Sequence, residues 1–159
     1  MGKTKNIVVT GAAGFLGSHL CDRLLVAGRH VIGIDDLSTG FKSNLWRSLN
    51  LFRNSFTFWE TDIVKMTELW KDTFDFDITD IDQIYNFACP ASPIAYQKDP
   101  IQTMMTSVMG VKNMLDIVDK QSGKFLQAST SEMYGEPLEH PQTETYNGNV
   151  NTIGIRSCY

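Results

Sequence analysis

The chain has 159 residues, of which 42% are hydrophobic and 20% charged, and its net charge is −4 at pH 7. This length suits one domain with its own core, and an acidic balance without a basic cluster argues against a nucleic-acid partner. Three scattered cysteines predict no disulfide framework and no metal site. We also find no membrane-length apolar run and no room for a signal peptide before the first strand, so we expect a cytoplasmic protein without a membrane partner.

The first elements in chain order predict a dinucleotide-binding unit. An apolar strand over residues 7–10 leads into a turn with three glycines (Gly11, Gly14, Gly17), and a helix with a 3.6-residue apolar period follows. Glycines let the backbone approach a pyrophosphate closely, and the helix N-terminus presents free N–H groups to it. A second apolar strand over residues 31–34 ends at Asp35, near the offset of about 20 residues expected of a ribose-binding carboxylate. A surface glycine turn in another α/β protein is the alternative interpretation.

Asp35 also bears on which nicotinamide cofactor fits. A carboxylate here accepts hydrogen bonds from the ribose 2′-OH and repels a 2′-phosphate. No Arg or Lys follows directly, and Phe41 stands where a basic residue would help to bind phosphate. The sequence therefore predicts NAD rather than NADP.

The remaining elements alternate between helices and strands. The pattern predicts a short helix over 44–51, a third strand over 56–63, a helix over 66–74, an acidic loop over 72–82, a fourth strand over 83–88, a long helix over 100–120 and a fifth strand over 124–129. This alternation predicts an α/β fold, a Rossmann-like doubly wound parallel sheet with strand order 3-2-1-4-5. In the long helix, apolar residues at helical spacing are interpreted as core: Met104, Met105, Val108, Met109, Val111, Met114 and Leu115.

The fifth strand ends in a polar run over residues 129–135. Two hydroxyls and a carboxylate at the carboxyl end of a strand are suited to position and protonate a substrate oxygen beside a nicotinamide. Ser and Thr also favour such positions as helix caps and turn residues. Spacing alone leaves both interpretations open.

Four segments together resemble the extended short-chain dehydrogenase/reductase family. They are residues 10–17, the Ala-Cys-Pro-Ala-Ser-Pro run at 88–93, residues 129–135, and the stretch 148–159 that ends in Arg-Ser-Cys-Tyr. Within that family they are most similar to the UDP-glucuronate decarboxylases. The Cys-Pro-Ala-Ser-Pro run and the Glu-His-Pro-Gln-Thr-Glu piece at 139–144 are narrower signals than the glycine turn.

The resemblance implies a reaction cycle on UDP-glucuronate. NAD takes a hydride from C4 of the sugar, the resulting ketone accepts the electrons as CO₂ leaves, and the hydride returns to give UDP-xylose. By the resemblance, Tyr159 would be the base, Thr130 would bond the C4 oxygen, and Ser131 and Glu132 would act near the carboxylate and the ring. The residues expected to bind the cofactor are Gly11, Gly14, Phe15, Leu16, Gly17, Asp35, Asp36, Leu37, Ser38, Thr39, Gly40, Asp62, Ile63, Phe87, Ala88, Cys89 and Thr106.

Several departures from the family pattern lower the expected activity. The family has a Lys four residues after the catalytic Tyr, a place beyond Tyr159, and a following half that completes the sheet and builds the sugar pocket. We therefore expect residues 1–159 to be an NAD-binding domain whose sheet is incomplete at its carboxyl end, without a substrate domain. Met105 and Ser107 stand where the family usually has Lys and Asn. A homodimer through the long helix is expected, and a related 4,6-dehydratase, a 4-epimerase and a non-catalytic NAD-binding module are the alternatives.

Overall fold

Five parallel strands form one sheet in the computed structural model, which describes residues 5–66, 80–120 and 122–159. Its order is β3-β2-β1-β4-β5, so the predicted topology is confirmed. Val8 on the central strand pairs with Ile32 on one side and Ile84 on the other. The strands are β1 (Asn6–Thr10), β2 (His30–Asp35), β3 (Phe56–Glu60), β4 (Ile81–Asn86) and β5 (Lys124–Gln127).

Three predicted strand ends were wrong by two or three residues. β3 was expected to reach residue 63 but ends at Glu60, because Asp62 caps a 3₁₀ turn that begins at Ile63. β4 lies two residues earlier than predicted, and β5 stops at Gln127 instead of residue 129. In each case the residues after the observed strand end leave the ladder and form the loops in which the candidate site lies.

Helices cover both faces of the sheet. They are α1 (Phe15–Val26), α2 (Trp46–Leu51), α3 (Pro93–Lys98), α4 (Pro100–Met105) and α5 (Val111–Asp119). A π-helical segment, Thr106–Gly110, joins α4 to α5, so the predicted long helix exists with a change of pitch at its centre. The helix predicted over 66–74 lies outside the described residues beyond Met66, as does most of the acidic loop.

Two core clusters lie on opposite faces of the sheet because neighbouring strand residues point in opposite directions. On one face Val8 and Ile84 pack in the cluster that holds Met114 and Ile117 of α5. On the other, Val9 packs in the cluster that holds Cys21 and Leu25 of α1. β1 and β2 are therefore buried on both faces, as their apolar runs indicate.

The prediction that the long helix contributes all of its apolar residues to the core was wrong. Met114 is buried, but Met104, Val108 and Leu115 are 47%, 60% and 43% exposed, and Met109 is also exposed. The helix has two apolar faces, and the sheet covers only the one that carries Met114, Ile117 and Val118. A 3.6-residue period shows that a face is apolar, and it does not show what covers that face.

No helix in the described part of the chain is both long and apolar enough to cross a bilayer.

Candidate functional site

The glycine turn, residues 11–17, connects β1 to α1. Gly11 has φ +64°, and a Cβ there would lie 2.7 Å from the Phe87 carbonyl oxygen. A Cβ on Gly17 would lie 2.1 Å from the Gly11 carbonyl oxygen, so only glycine lets the helix pack this closely on the turn. Gly14 caps α1 without a side-chain bond, and no acidic residue lies in the first turn. The first N–H groups of α1 therefore remain available to an anion.

Phe15 and Leu16 begin α1 with exposed side chains, 76% and 62% accessible. Both were predicted to contact the cofactor, and both belong to the first turn of α1, whose N–H groups are free. Large apolar side chains exposed at a helix N-terminus can cover a flat ligand that lies across it.

Asp35 ends β2 with a nearly buried carboxylate. Its Oδ2 accepts from the Ala13 N–H at 2.9 Å and its Oδ1 from the Leu37 N–H at 2.8 Å. Burial raises the pKa of the Asp35 carboxyl, and these two bonds partly offset that effect. A carboxylate has about four acceptor sites, so it keeps capacity for the hydroxyls of a ribose. The carboxylate thus ties β2 to the glycine turn and still fits the predicted role.

The loop after β2, residues 36–40, curls over Ala13. The Asp36 carboxylate accepts from the Ser38 N–H at 2.9 Å, and Leu37 adopts φ +60°. A Cβ on Gly40 would lie 2.9 Å from the Ala13 carbonyl carbon, so this loop needs glycine for its close approach to the turn. Thr39 is exposed beside it. The predicted cofactor contacts from Asp35 to Gly40 therefore lie together.

Three further predicted cofactor contacts lie after β3 and on the long helix: Asp62, Ile63 and Thr106. The Asp62 carboxylate accepts from the Val64 N–H and from the Gln102 amide, each at 2.9 Å. Thr106 donates to the Gln102 carbonyl at 2.9 Å and is buried. The Ile63 side chain is 2% exposed and lies in the core against Gly110, and a contact between Ile63 and a cofactor stays a prediction.

A polar side-chain ladder, Thr10–Asn86–Gln127, crosses the carboxyl ends of three strands. Thr10 donates to the Asn86 Oδ1, and the Asn86 amide donates to the Gln127 Oε1 at 2.7 Å. The Thr10 hydroxyl also accepts from the N–H groups of Phe87 and Ala88, each at 3.2 Å. The ladder fixes the start of the loop that carries the predicted contacts Phe87, Ala88 and Cys89.

Five residues form the Tyr159 cluster at the end of β5: Tyr96, Thr130, Glu132, Arg156 and Tyr159. Thr130 caps the 3₁₀ turn Ser131–Tyr134 and accepts from the Glu132 N–H at 3.1 Å. A hydrogen bond also joins the side chains of Thr130 and Tyr159, and Arg156 forms an ion pair with Glu132. The structure thus brings together Thr130, Glu132 and Tyr159 as predicted, while Ser131 is exposed at their edge. The interpretation of Thr130 as a cap is confirmed, and its role towards a substrate oxygen stays a prediction.

Two members of this cluster, Tyr96 and Arg156, were not predicted from the sequence as site residues. Tyr96 lies on α3 with 1% exposure, and its ring stacks on Tyr159 with centroids 4.9 Å apart. Its hydroxyl accepts from the Arg156 Nε at 3.1 Å. The signal that was available was Ser92-Pro93, a capping residue followed by Pro at the first helical position, which marks the start of α3.

The Tyr159 hydroxyl is held in its protonated form by its surroundings. Burial is the main cause that raises its pKa, and the Cys89 thiol adds to the effect. The hydrogen bond with Thr130 lowers this pKa in part. Burial likewise raises the pKa of the Cys89 thiol, which lies 3.3 Å from the Ser107 hydroxyl. As described, the cluster positions Tyr159 but does not convert it into a base at neutral pH.

Comparison with known proteins places this arrangement in a family. The GDP-mannose 4,6 dehydratase family matches residues 8–159. The chain belongs to that family. It is 50% identical over 158 residues to UDP-glucuronic acid decarboxylase 1 of Arabidopsis thaliana and 47% identical over 158 residues to decarboxylase 2 of the same plant. Each match covers 99% of this chain and 33% of the relative, so the chain spans about a third of their length.

The solved structures agree with the fold. The Thermus thermophilus UDP-glucose 4-epimerase complex with NAD superposes with a TM-score of 0.71 at 27% identity. That match covers 91% of this chain and 44% of the epimerase. Within the described residues, no group of three or more His, Cys, Asp or Glu side chains is arranged to hold a metal ion.

Proposed function

We propose that this chain forms the NAD-binding and catalytic edge of a UDP-glucuronate decarboxylase. The observation that carries the proposal is the meeting of Thr130, Glu132 and Tyr159 at the carboxyl edge of a sheet whose first turn is shaped for a dinucleotide. The 50% identity to a UDP-glucuronic acid decarboxylase over nearly the whole chain supports the choice of substrate.

The residues of the glycine turn and the two loops beside it fit NAD. The α1 N-terminus would receive the pyrophosphate, and Asp35 would bind the adenosine ribose. The loops at the ends of β3 and β4 would contact the rest of the NAD molecule. Gly11 and Gly17 leave no space for a Cβ, and the nearly buried Asp35 carboxylate has unused acceptor sites. A bound NAD would supply the hydride acceptor and donor for C4 of the sugar. The NAD complex of a structurally similar epimerase supports this assignment.

The residues of the Tyr159 cluster would act on the sugar. In this proposal Tyr159 takes the proton of the C4 hydroxyl, and Thr130 donates a hydrogen bond to the same oxygen. Glu132 and Ser131 lie beside the ring and its carboxylate, where Glu132 is oriented by Arg156. Proton transfer needs Tyr159 as phenolate, and the raised pKa of Tyr159 in this chain opposes that step. The isolated chain is therefore expected to produce negligible UDP-xylose.

A chimera tests the proposed reaction. Residues 1–159 replace the matching segment of Arabidopsis UDP-glucuronic acid decarboxylase 1, and the product formed from UDP-glucuronate and NAD is identified by mass spectrometry. We expect UDP-xylose, and we expect Tyr159→Phe and Glu132→Gln in the chimera to remove most of it. Measurable UDP-xylose from the isolated chain would contradict the account of Tyr159 given above.

The same chimera distinguishes the alternatives. Release of a 4-keto-6-deoxy or C4-inverted sugar nucleotide, from a substrate panel that includes UDP-glucose, would assign the segment to a dehydratase or an epimerase. A folded chimera without turnover would favour a non-catalytic NAD-binding module. Reverting Met105→Lys and Ser107→Asn tests whether these two departures limit activity, and higher turnover is expected after both changes.

Calorimetric titration of the isolated chain with NAD and with NADP tests the cofactor assignment. Asp35 predicts tighter binding of NAD, because its carboxylate repels a 2′-phosphate. Equal binding of both cofactors, or binding of neither, would contradict it.

We further propose a homodimer through the long helix. Ile101, Met104, Val108 and Leu115 form an exposed apolar stripe on the side of the helix turned away from the sheet, a surface suited to a second copy. Val108→Glu is expected to give a monomer in analytical ultracentrifugation, whereas Ile94→Glu on α3 is the exposed control. A cytoplasmic location fits the three free cysteines, Cys21, Cys89 and Cys158.

A further inference from the structure

Tyr96 is among the largest fully buried side chains of the protein, and both its ring and its hydroxyl contact other members of the Tyr159 cluster. Its ring lies nearly parallel to that of Tyr159, with an interplanar angle of 12°. Its hydroxyl accepts from the Nε of Arg156, whose Nη2 forms the ion pair with Glu132. One buried side chain therefore contacts one proposed catalytic group directly and the other through a single arginine.

The backbone of Tyr96 is anchored independently of these contacts. Its carbonyl oxygen accepts from the buried Thr103 hydroxyl on α4 at 3.1 Å, and the Cys158 thiol approaches the same oxygen at 3.7 Å. Ser92 caps the helix that carries Tyr96, with its hydroxyl accepting from the Ala95 N–H at 3.2 Å. Tyr96 is thus a fixed platform, and Arg156, Cys158 and Tyr159 all dock on it.

A phenylalanine would fill the same volume, so the hydroxyl calls for a separate explanation. A buried tyrosine hydroxyl needs a hydrogen-bond partner, and here it is provided by a guanidinium that is otherwise more than half exposed. The guanidinium is held at two of its nitrogens, by Tyr96 and by Glu132. This geometry limits the directions in which the Glu132 carboxylate can point.

We propose that Tyr96 is a positioning residue that sets the ring plane of Tyr159 by stacking and the direction of Glu132 through Arg156. The proposal deepens the proposed function and rests on it for the meaning of the two positioned groups. The groups that face Tyr159 are the Cys89 thiol after β4, the Tyr96 hydroxyl on α3, and Thr130 and Glu132 after β5. Among these, the ring of Tyr96 stacks on Tyr159.

The test uses the 159-residue chain labelled with ¹³C at the ring carbon that bears the hydroxyl of each tyrosine. The Tyr159 signal is assigned by Tyr159→Phe and titrated through the alkaline range by NMR. Three variants are compared with the wild type: Tyr96→Leu removes the stacked ring, Tyr96→Phe removes only the hydroxyl, and Tyr85→Phe is the matched control. Tyr85 is half-buried on β4 and donates its hydroxyl to Gln83 at 2.8 Å, away from the cluster.

We expect Tyr96→Leu to lower the pKa of Tyr159 towards its ordinary value, because the stacked ring contributes to the burial that raises it. We expect Tyr96→Phe to retain the stack but to speed hydrogen exchange at the Arg156 Nε–H. Tyr85→Phe should change neither measurement. In the chimera, Tyr96→Leu should lower kcat by about 100-fold through misplacement of Tyr159.

Two results would overturn the proposal. The first is an unchanged Tyr159 titration in a folded Tyr96→Leu chain, which would make Tyr96 a packing residue only. The second, which applies even if Tyr96→Leu fails to fold, is an unchanged Arg156 Nε–H exchange rate in Tyr96→Phe. The NMR measurements need neither NAD nor a sugar nucleotide. They can therefore support the positioning role of Tyr96 even if the chimera makes no UDP-xylose, and they can contradict that role even if the chimera makes UDP-xylose.

Discussion

The glycine turn and the Tyr159 cluster lie on the same sheet edge but are held in place by different forces. The turn rests on β1 and β2, whose residues are buried almost without interruption, and on glycines that no other residue can replace. The cluster follows β5, and none of the described residues after Val118 is buried. The glycine turn is therefore fixed by its own core, whereas the Tyr159 cluster is fixed by a buried tyrosine and a few polar bonds.

Truncation of a core side chain should give the largest loss of stability. Ile84 on β4 is 1% exposed and packs in the cluster that contains Met114. We expect Ile84→Ala to lower the free energy of unfolding by about 2–5 kcal/mol in chemical denaturation. The matched control is Ile153→Ala at 94% exposure, which should change it by less than about 0.5 kcal/mol. Similar losses for both would contradict the contrast between the two regions.

Replacing Gly11 in the glycine turn should cost more stability than replacing Gly28, which has a similar backbone conformation. Gly11 and Gly28 have φ +64° and +74°, so alanine costs about 1–2 kcal/mol of strain at each. Only at Gly11 would the new Cβ also meet backbone, at 2.7 Å from the Phe87 carbonyl oxygen. We expect Gly11→Ala to be the less stable variant in denaturation and to lose NAD binding in calorimetry. Gly28→Ala should bind NAD as the wild type does.

Asp35 should make the free energy of unfolding depend on pH. Its folded-state pKa lies above the ordinary value of 3.8, so the folded protein binds the proton more tightly than the unfolded chain does. Stability contributed by this group is fully present below pH 3.8 and is lost as the pH rises through the folded-state pKa. We expect the stability of wild type relative to Asp35→Asn to decline over that window in denaturation series at several pH values. A rising difference would contradict burial as the dominant cause.

The smallest stability effect is expected at the Tyr159 cluster. The Arg156 side chain is 58% exposed, and ion pairs of exposed side chains contribute little to folding. Glu132→Gln, which breaks the ion pair and keeps the bond between Arg156 and Tyr96, should leave the denaturation midpoint almost unchanged while it lowers the turnover of the chimera. A large loss of stability would show that the cluster is a folding element, and the two regions would then differ less than the structure indicates.

The parts of the fold that were predictable are those in which local pattern and tertiary environment agree. Apolar runs and glycine spacing predicted β1 and β2, because an internal parallel strand is buried on both faces and must be apolar throughout. The alternation of strands and helices predicted the strand order. Strand ends were less predictable, since Asp62 and Thr130 serve as caps whose partners lie in the following turn.

The burial of Ile63 and the exposure of Met104 have a shared physical origin, because tertiary contacts decide both. The Ile63 side chain fills the space beside Gly110, which lies 47 residues later in the chain, so local sequence pattern does not reveal this contact. Met104 was expected in the core, but the sheet covers only the opposite face of its helix. Tyr96 was missed because its importance lies in contacts with Arg156 and Tyr159, which only the folded chain brings near.

The polar ladder of Thr10, Asn86 and Gln127 helps to fix the spacing of the loops that follow β1, β4 and β5. Adjacent strands in a sheet are about 4.8 Å apart, so the roots of the first and fifth strand-end loops are set about 10 Å from each other. Side-chain bonds from Thr10 through Asn86 to Gln127 hold those roots in line. The distance between the glycine turn and the start of the loop after β5 is thus set by the width of three strands.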